Sequence, residues 1–253
     1  MHACAWIFQG REVRLMKPLN SRVLKTNRLI AACTAVLAGL LALPALSVIT
    51  IDAVIINSVE NQYGGKAVKR VVDWDELMLE NKEISNGDKL KRANRFFNKI
   101  RYRTDWDHWG KEDYWATPLE MLGTNHGDCE DYTIAKYFTL LALGIPDEDL
   151  RITYVNAIEL CQAHMVLTYY GESKTDPLVL DNIEYWIQPA SKRSDLEPVY
   201  SFNGAGLWMS QERSRSDFYK NGAQQIEQWA AMLNRLPVNN MDPEFMLAAS
   251  SGE

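Results

Sequence analysis

The chain has no basic excess: 27 Lys and Arg stand against 33 Asp and Glu, a net charge of −6 with a pI near 5.4. No Lys/Arg face with interleaved aromatics occurs along it, which argues against a nucleic-acid partner. It has no internal repeats and no low-complexity tracts. Long uncharged runs are missing apart from one, residues 29–49. Cysteine and histidine are scarce. Four cysteines become two beyond residue 49, Cys129 and Cys161, and only His108, His126 and His164 remain there. What is present is ordinary globular composition, 47% hydrophobic and 24% charged, with eight Trp and eleven Tyr among the 253 residues. That length is enough for one good-sized core plus appendages.

The run Leu29–Ile49 follows Lys17, Arg22, Lys25 and Arg28 and ends at small residues around Ala45-Leu46-Ser47. A basic segment, an apolar segment and a small-residue exit describe a secretory signal, so residues 1–49 are expected to be a leader and 50–253 a single domain. Met16 opens a leader of more usual length than Met1 does. The alternative is an uncleaved anchor, since about 20 apolar residues span a bilayer. Either way the remainder is expected to be exported. Two thiols in an oxidising compartment usually pair, so a Cys129–Cys161 disulfide is the default against which any other role must be weighed.

Beyond the leader, residues 50–65 read as a connector or first helix. Lys66–Lys82 predicts a helix with Val68, Val71, Val72, Asp75 and Leu79 on its inner side. Ser85 caps the next helix, whose stripe is Leu90, Ala93, Phe97 and Ile100. Arg103–Thr117 reads as irregular and holds Trp106, Trp109 and Trp115. Cys129–Gly144 is the strongest helix, stopped by Gly144 and Pro146. The period then changes to two: Arg151–Ala157, His164–Tyr170, Leu178–Ile183 and Val199–Phe202 predict strands. A last helix is expected over Ala223–Leu236. Helices followed by an antiparallel sheet make an α+β domain.

The chemistry gathers at Gly127-Asp128-Cys129-Glu130-Asp131. Asp128 is placed as the cap of the helix that Cys129 begins, with Asp131 at its third position as in a capping box. Unpaired N–H groups and the dipole at a helix start favour a thiolate there. A thiolate nucleophile needs a base held in orientation. His126 reads as a turn residue and His108 as a solvated loop residue, whereas His164 opens a strand. The next strand carries one acid, Asp181. A loop Gly171–Lys174 would pair residues whose numbers total 345, setting Asp181 directly opposite His164. Each residue has an inert reading alone. Together they form a nucleophile, a base and an acid that orients it.

That order and setting resemble the transglutaminase-like branch of papain-type enzymes. Gly127-Asp128-Cys129-Glu130-Asp131-Tyr132, Ala163-His164-Met165-Val166 and Leu180-Asp181-Asn182 resemble the bacterial transglutaminase-like cysteine proteinases of the LapG type, over most of residues 85–210, with Pro198-Val199-Tyr200-Ser201-Phe202-Asn203 downstream. The resemblance implies a papain/transglutaminase-like α+β fold with the nucleophile helix packed on an antiparallel sheet. It implies a thiol protease in the periplasm that cuts the N-terminal region of a large surface adhesin beside two alanines and so promotes biofilm dispersal. It also implies sequestration by an inner-membrane cyclic di-GMP receptor of the LapD type. The Trp cluster at 106–115 is a candidate partner surface, with core packing the commoner role of any single Trp.

Asp128, Glu130 and Asp131 flank a thiol that must ionise, and like charge opposes ionisation. A hard divalent cation on these carboxylates would remove the repulsion. The LapG type is calcium-dependent, with ligands that match Asp128 and Glu130; Asp131 is a weaker candidate. On this reading Cys161 is expected to be free and mostly buried. Two rival functions share the same residues: transglutamination, in which an amine resolves the acyl-enzyme, and a catalytically idle binding module.

Overall fold

The computed structural model describes residues 51–211, 215–220 and 222–237. The expected leader lies outside them. Three helices come first: α1 (Ala53–Tyr63), α2 (Gly65–Glu80) and α3 (Asn86–Phe97). A two-residue strand, β1 (Arg101–Tyr102), a short helix, α4 (Asp105–Trp109), a further helix, α5 (Pro118–Thr124), and β2 (His126–Gly127) lead to the central helix α6 (Cys129–Ala142). Then follow β3 (Leu150–Ala157), β4 (Gln162–Tyr169), β5 (Leu178–Leu180), β6 (Gln188–Pro189), β7 (Leu196–Phe202), β8 (Gly206–Gln211), β9 (Arg215–Lys220) and α7 (Glu227–Leu233). Strands β3 to β9 form one antiparallel sheet in the order β6-β5-β4-β3-β7-β8-β9. This is the α+β arrangement expected.

Helix α6 is covered on nearly every side, and most of its buried positions are apolar. Ile134, Tyr137, Phe138 and Leu140 pack against the sheet and α7, while Tyr132, Ala135 and Ala142 join α1, α2 and α5 in a second cluster. The Trp74 indole N–H donates to Thr139 Oγ1 at 2.8 Å and pins α2 to it. The helix stops at Gly144, φ +83°, where Gly144 N–H reaches Leu141 O and Ile145 N–H reaches Leu140 O. That paired closure is a Schellman cap, and the left-handed position is why glycine stands there.

The start of α6 is held just as firmly. Arg101 pairs with His126 and Tyr102 with Gly127 in a parallel ladder, so the strand entering the helix is clamped to the one leaving α3. A Cβ on Gly127 would lie 2.8 Å from Asp131 Oδ2, so only glycine lets the chain pass so close to that carboxylate.

Several expectations change. On α2 the inner stripe is Ala67, Val71, Trp74 and Met78, and Val72 and Leu79 face solvent, because the larger Trp74 and Met78 set the rotation of the helix. The β4–β5 ladder pairs Leu167 with Leu180 and Tyr169 with Leu178, two residues away from the predicted register, because the loop between these strands runs from 170 to 177. Strand β7 begins at Leu196 and carries Pro198 through an irregularity opposite Tyr154/Val155, where a missing N–H is tolerated. The last helix is short, with a 3-10 turn (Gly222–Gln225) before it, and it buries Trp229, Met232 and Leu233 together with the preceding Ile226. The stretch 103–117 contains α4, capped by Thr104, whose Oγ1 accepts Asp107 N–H. Strands β8 and β9 were not anticipated.

Candidate active site and cation cluster

Cys129 is the first residue of α6 and half-buried; His164 lies on β4 and Asp181 immediately after β5, both buried. Cys129 and Cys161 are not joined to each other, so the default disulfide does not form. Cys161 is nevertheless exposed, not buried: it sits in the β3–β4 turn at φ +51°.

His164 Nε2 lies 2.8 Å from Asp181 Oδ1. A two-residue slip leaves side chains on the same face, so Asp181 meets His164 diagonally rather than directly across. Asp181 is otherwise fully engaged. Its Oδ1 accepts Ile183 N–H at 3.0 Å, its Oδ2 accepts Arg193 Nη2–H at 2.8 Å, and its carbonyl accepts Asn98 Nδ2–H at 2.8 Å. Burial by itself raises a carboxyl, but here the hydrogen bond and charge of His164, with Ile183 N–H and Arg193, outweigh it and hold Asp181 well below the ordinary range. An ionised Asp181 on Nε2 keeps the proton there, which leaves Nδ1 to act as the acceptor.

Cys129 and His164 line one cleft, with Trp115, Tyr154, Tyr200 and Gln228 among its walls. The Cys129 thiol donates to Glu130 Oε2 at 2.9 Å. Burial, then the charges of Glu130 and Asp128, push this thiol well above its usual value, against the helix dipole. Burial and the charges of Glu130, Asp131 and Asp105 push Asp128 up to about 10.

The carboxylates fall into two groups that share Asp105, and Asp128 and Glu130, which the sequence reading pairs as ligands, stand in different ones. Ligand atoms of Asp105, Asp128 and Asp131 lie within 4.8 Å of one another, and so do those of Asp105, Asp113 and Glu130. Asp131 spends its oxygens on backbone, Oδ1 on Ala116 N–H at 2.6 Å and Oδ2 on Asp128 N–H at 3.3 Å. Asp128 Oδ1 is buried with no hydrogen-bond partner among the described residues. Calcium takes roughly six to eight oxygen ligands from such groups. An orphaned buried carboxyl oxygen among clustered acids fits that requirement.

The other two histidines do not line the cleft of Cys129 and His164. His126 Nδ1 lies 2.9 Å from Thr124 O, and its ring is 5.7 Å from that of His108. His108 is not a solvated loop residue; it stacks on Trp109 at 4.1 Å and burial lowers its pKa. Of the three tryptophans between 106 and 115, Trp106 is exposed and Trp115 buried, so they do not form one continuous surface.

Arg193, Asp105, Asp113 and Gln228 went unnoticed in the sequence. Asp105 and Asp113 carry a faint signal as carboxylates in a Trp-rich loop; Arg193 and Gln228 stand in no motif. Lys136 is also buried, one helical turn beyond Tyr132 on α6, and burial pushes it down to about 7 while Asp181 partly opposes this.

Comparison with known proteins agrees with the fold. The family model of bacterial transglutaminase-like cysteine proteinases matches residues 69–201. No curated protein sequence matches the chain. Among solved structures, EGTA-treated LapG of Legionella pneumophila is 39% identical over 73% of this chain and 97% of its own, with a TM-score of 0.64. Calcium-bound LapG of the same organism is 40% identical over 73% and 99%, with a TM-score of 0.62.

Proposed function

The chain belongs to the bacterial transglutaminase-like cysteine proteinases, and on that premise we propose that it is a calcium-dependent endopeptidase with Cys129 as nucleophile, His164 as base and Asp181 as the orienting acid. The observation that carries this reading is the buried 2.8 Å contact of His164 Nε2 with Asp181 Oδ1, where His164 lines the cleft that holds Cys129.

His164 Nδ1 takes the thiol proton, and the Cys129 sulfur forms a bond to the peptide carbonyl carbon. The negative oxygen develops next to the N–H groups that begin α6. The C–N bond breaks as the imidazolium passes its proton to the leaving amine, giving a thioester. Water, deprotonated by His164, then releases the carboxylate and restores the thiol. Asp181 holds the tautomer throughout and stabilises the imidazolium, and Arg193 holds Asp181.

In the acidic cluster, Asp128 and Glu130 would hold calcium, with Asp105 adjoining both groups. Bound there, calcium supplies positive charge that offsets the carboxylates around the thiol. Glu130, otherwise an acceptor for the Cys129 S–H, would then leave that proton to His164. That a 40% identical protein, LapG of Legionella pneumophila, has a calcium-bound structure supports calcium as the cation.

The substrate we propose is the N-terminal region of a large surface adhesin, cut on the periplasmic side of the inner membrane, with release of the adhesin and biofilm dispersal as the outcome. A cyclic di-GMP receptor of the LapD type would sequester the enzyme. The family supports these roles. The test is to incubate purified protein with such an adhesin fragment, with calcium or with EGTA. Cleavage that needs calcium and is lost in Cys129→Ala is expected. Incorporation of an added amine instead of hydrolysis would turn the reading to transglutamination, and a Cys129 that never acylates would leave a binding module.

A further inference from the structure

Asp181 stands just beyond the last ladder pair of β5, Leu180 with Leu167, and β5 itself has only three residues. The backbone that carries this acid is therefore outside the sheet ladder, and it is held from another layer. Asn98 Nδ2–H donates to Asp181 O at 2.8 Å. Asn98 is the C-cap of α3, with its own N–H on Asn94 O at 3.0 Å. One helical turn earlier, Asn94 Nδ2–H donates to Tyr185 O at 3.0 Å, so α3 grips the segment after β5 twice. In both amides Oδ1 is buried with no hydrogen-bond partner among the described residues. A buried, unpaired amide oxygen costs stability, so the donor end is what these positions use. The chain leaving Asn98 then reaches the nucleophile. Ile100 O accepts the Tyr132 hydroxyl of α6, and Arg101 and Tyr102 pair with His126 and Gly127 on the strand that runs into Cys129. Residues 98–102 thus touch the acid at one end and the nucleophile helix at the other.

We propose that Asn98 is a positioning residue that, through its bond to Asp181 O, sets the orienting acid in register with the helix that presents Cys129. The proposal rests on the triad reading above. Cys129 comes from a helix and the His164–Asp181 pair from a sheet, and attack needs the sulfur and Nδ1 to meet in one geometry. For the histidine strand that register is set by Thr133 of α6, whose Oγ1–H donates to Met165 O at 3.0 Å. For the acid it is set by Asn98. The His164 ring is held between its own backbone and Asp181 Oδ1, so an acid that shifts turns Nδ1 away from the sulfur. A misplacement of about 1 Å costs on the order of a hundredfold in rate. Asn94 makes the same kind of bond, but to a carbonyl four residues past the acid, and it provides the control.

Asn98→Leu keeps the bulk of the side chain and removes the donor. In full-length protein with calcium present, single-turnover acylation of Cys129 by a fluorogenic peptide with adjacent alanines should slow by about ten- to a hundredfold, with KM within about twofold of wild type. The downfield proton NMR signal of His164 Nε2–H should broaden or move. Asn94→Leu should change acylation by less than about twofold and leave that signal in place. Each substitution removes one donor and one unpaired oxygen, so Tm should stay close to wild type in both, and packing cannot account for the difference. Asn98→Ser, whose hydroxyl stops short of Asp181 O, should acylate as slowly as Asn98→Leu, and it carries the test if the latter fails to fold. Equal acylation in the Asn94 and Asn98 variants would overturn the proposal. So would a defect confined to KM, or an unmoved imidazole signal. Asp181→Asn acylating at the wild-type rate would sink the triad reading and this proposal with it, whereas slow Asp181→Asn beside normal Asn98→Leu sinks the proposal alone.

Discussion

Two buried carboxylates back the residues of one cleft, Asp181 bonded to His164 and Asp128 preceding Cys129, and they behave in opposite ways. Asp181 accepts from His164, Ile183 N–H and Arg193, and is held well below the ordinary range. Asp128 is surrounded by Asp105, Glu130 and Asp131, has an oxygen with no partner, and is pushed up to about 10. Burial opposes ionisation in both, so the difference lies wholly in what each one faces. One acid is completed by the protein. The other is left for a ligand to complete, and the nucleophile sits beside the incomplete one.

The largest effect is expected from Asp181→Asn. An amide cannot hold the Nε2 proton in place, and turnover should fall by about 10⁴, as for the equivalent change in a serine protease triad. Single-turnover acylation of Cys129 measures it, and a loss below tenfold would remove Asp181 from the mechanism.

Arg193→Met should come next, costing about 3–5 kcal/mol in chemical denaturation, because it leaves a buried charge without its partner. The pH dependence has a definite sign. A depressed native pKa gives stability that is present above the unfolded value, about 3.9, and is lost as pH falls through the native one. In Arg193→Met that acid loss should begin at higher pH, and an unchanged acid limb would show that His164 and Ile183 N–H suffice.

On the incomplete side, calcium at a hundredfold excess over its dissociation constant should add about 2.7 kcal/mol of stability, and Asp128→Asn should abolish the increment. Here the sign reverses. A raised native pKa gives stability that is full below the unfolded value and lost as pH climbs through the native one, about 10. The calcium-free protein should therefore weaken from about pH 4 upward, and the calcium increment in Tm should grow with pH. A pH-independent increment would place the cation elsewhere.

The smallest effect concerns Lys136, buried near the satisfied acid and pushed down to about 7. Below that pH a buried ammonium destabilises the fold, so Lys136→Met should stabilise it by about 1–2 kcal/mol. The gain should shrink as pH rises toward about 10.4, where the unfolded lysine also loses its proton. A constant gain would mean packing rather than charge.

Features made by near neighbours were readable in the chain. The Ser85 cap, the Asp131 half of the box at Asp128 and the Gly144 stop each involve residues three to five apart, so their chemistry is written locally. The choice of His164 over His108 and His126 was also readable, because only His164 lay in a strand followed by one with a single acid. The face of α2 was misjudged because periodicity gives several allowed stripes, and the bulk of Trp74 and Met78 decides among them. The β4–β5 register depended on a loop length that the alternation of residues does not encode. Burial of Cys161 was expected from its position near His164, but the turn there points outward.

By itself, then, the sequence determined the order of helix and sheet, the helix start under Cys129, and the acids that make that start electrostatically awkward. It also carried enough pattern to identify the bacterial transglutaminase-like cysteine proteinases. Tertiary structure alone decided that Arg193 completes Asp181, that Asp105 and Asp113 join the acids of α6, and that Gln228 enters the cleft from the far end of the domain. The reason is physical. Caps and turns are closed by bonds within a few residues of the chain. Buried charges take partners from whichever loop the packed core brings within reach, and local sequence holds no record of that distance.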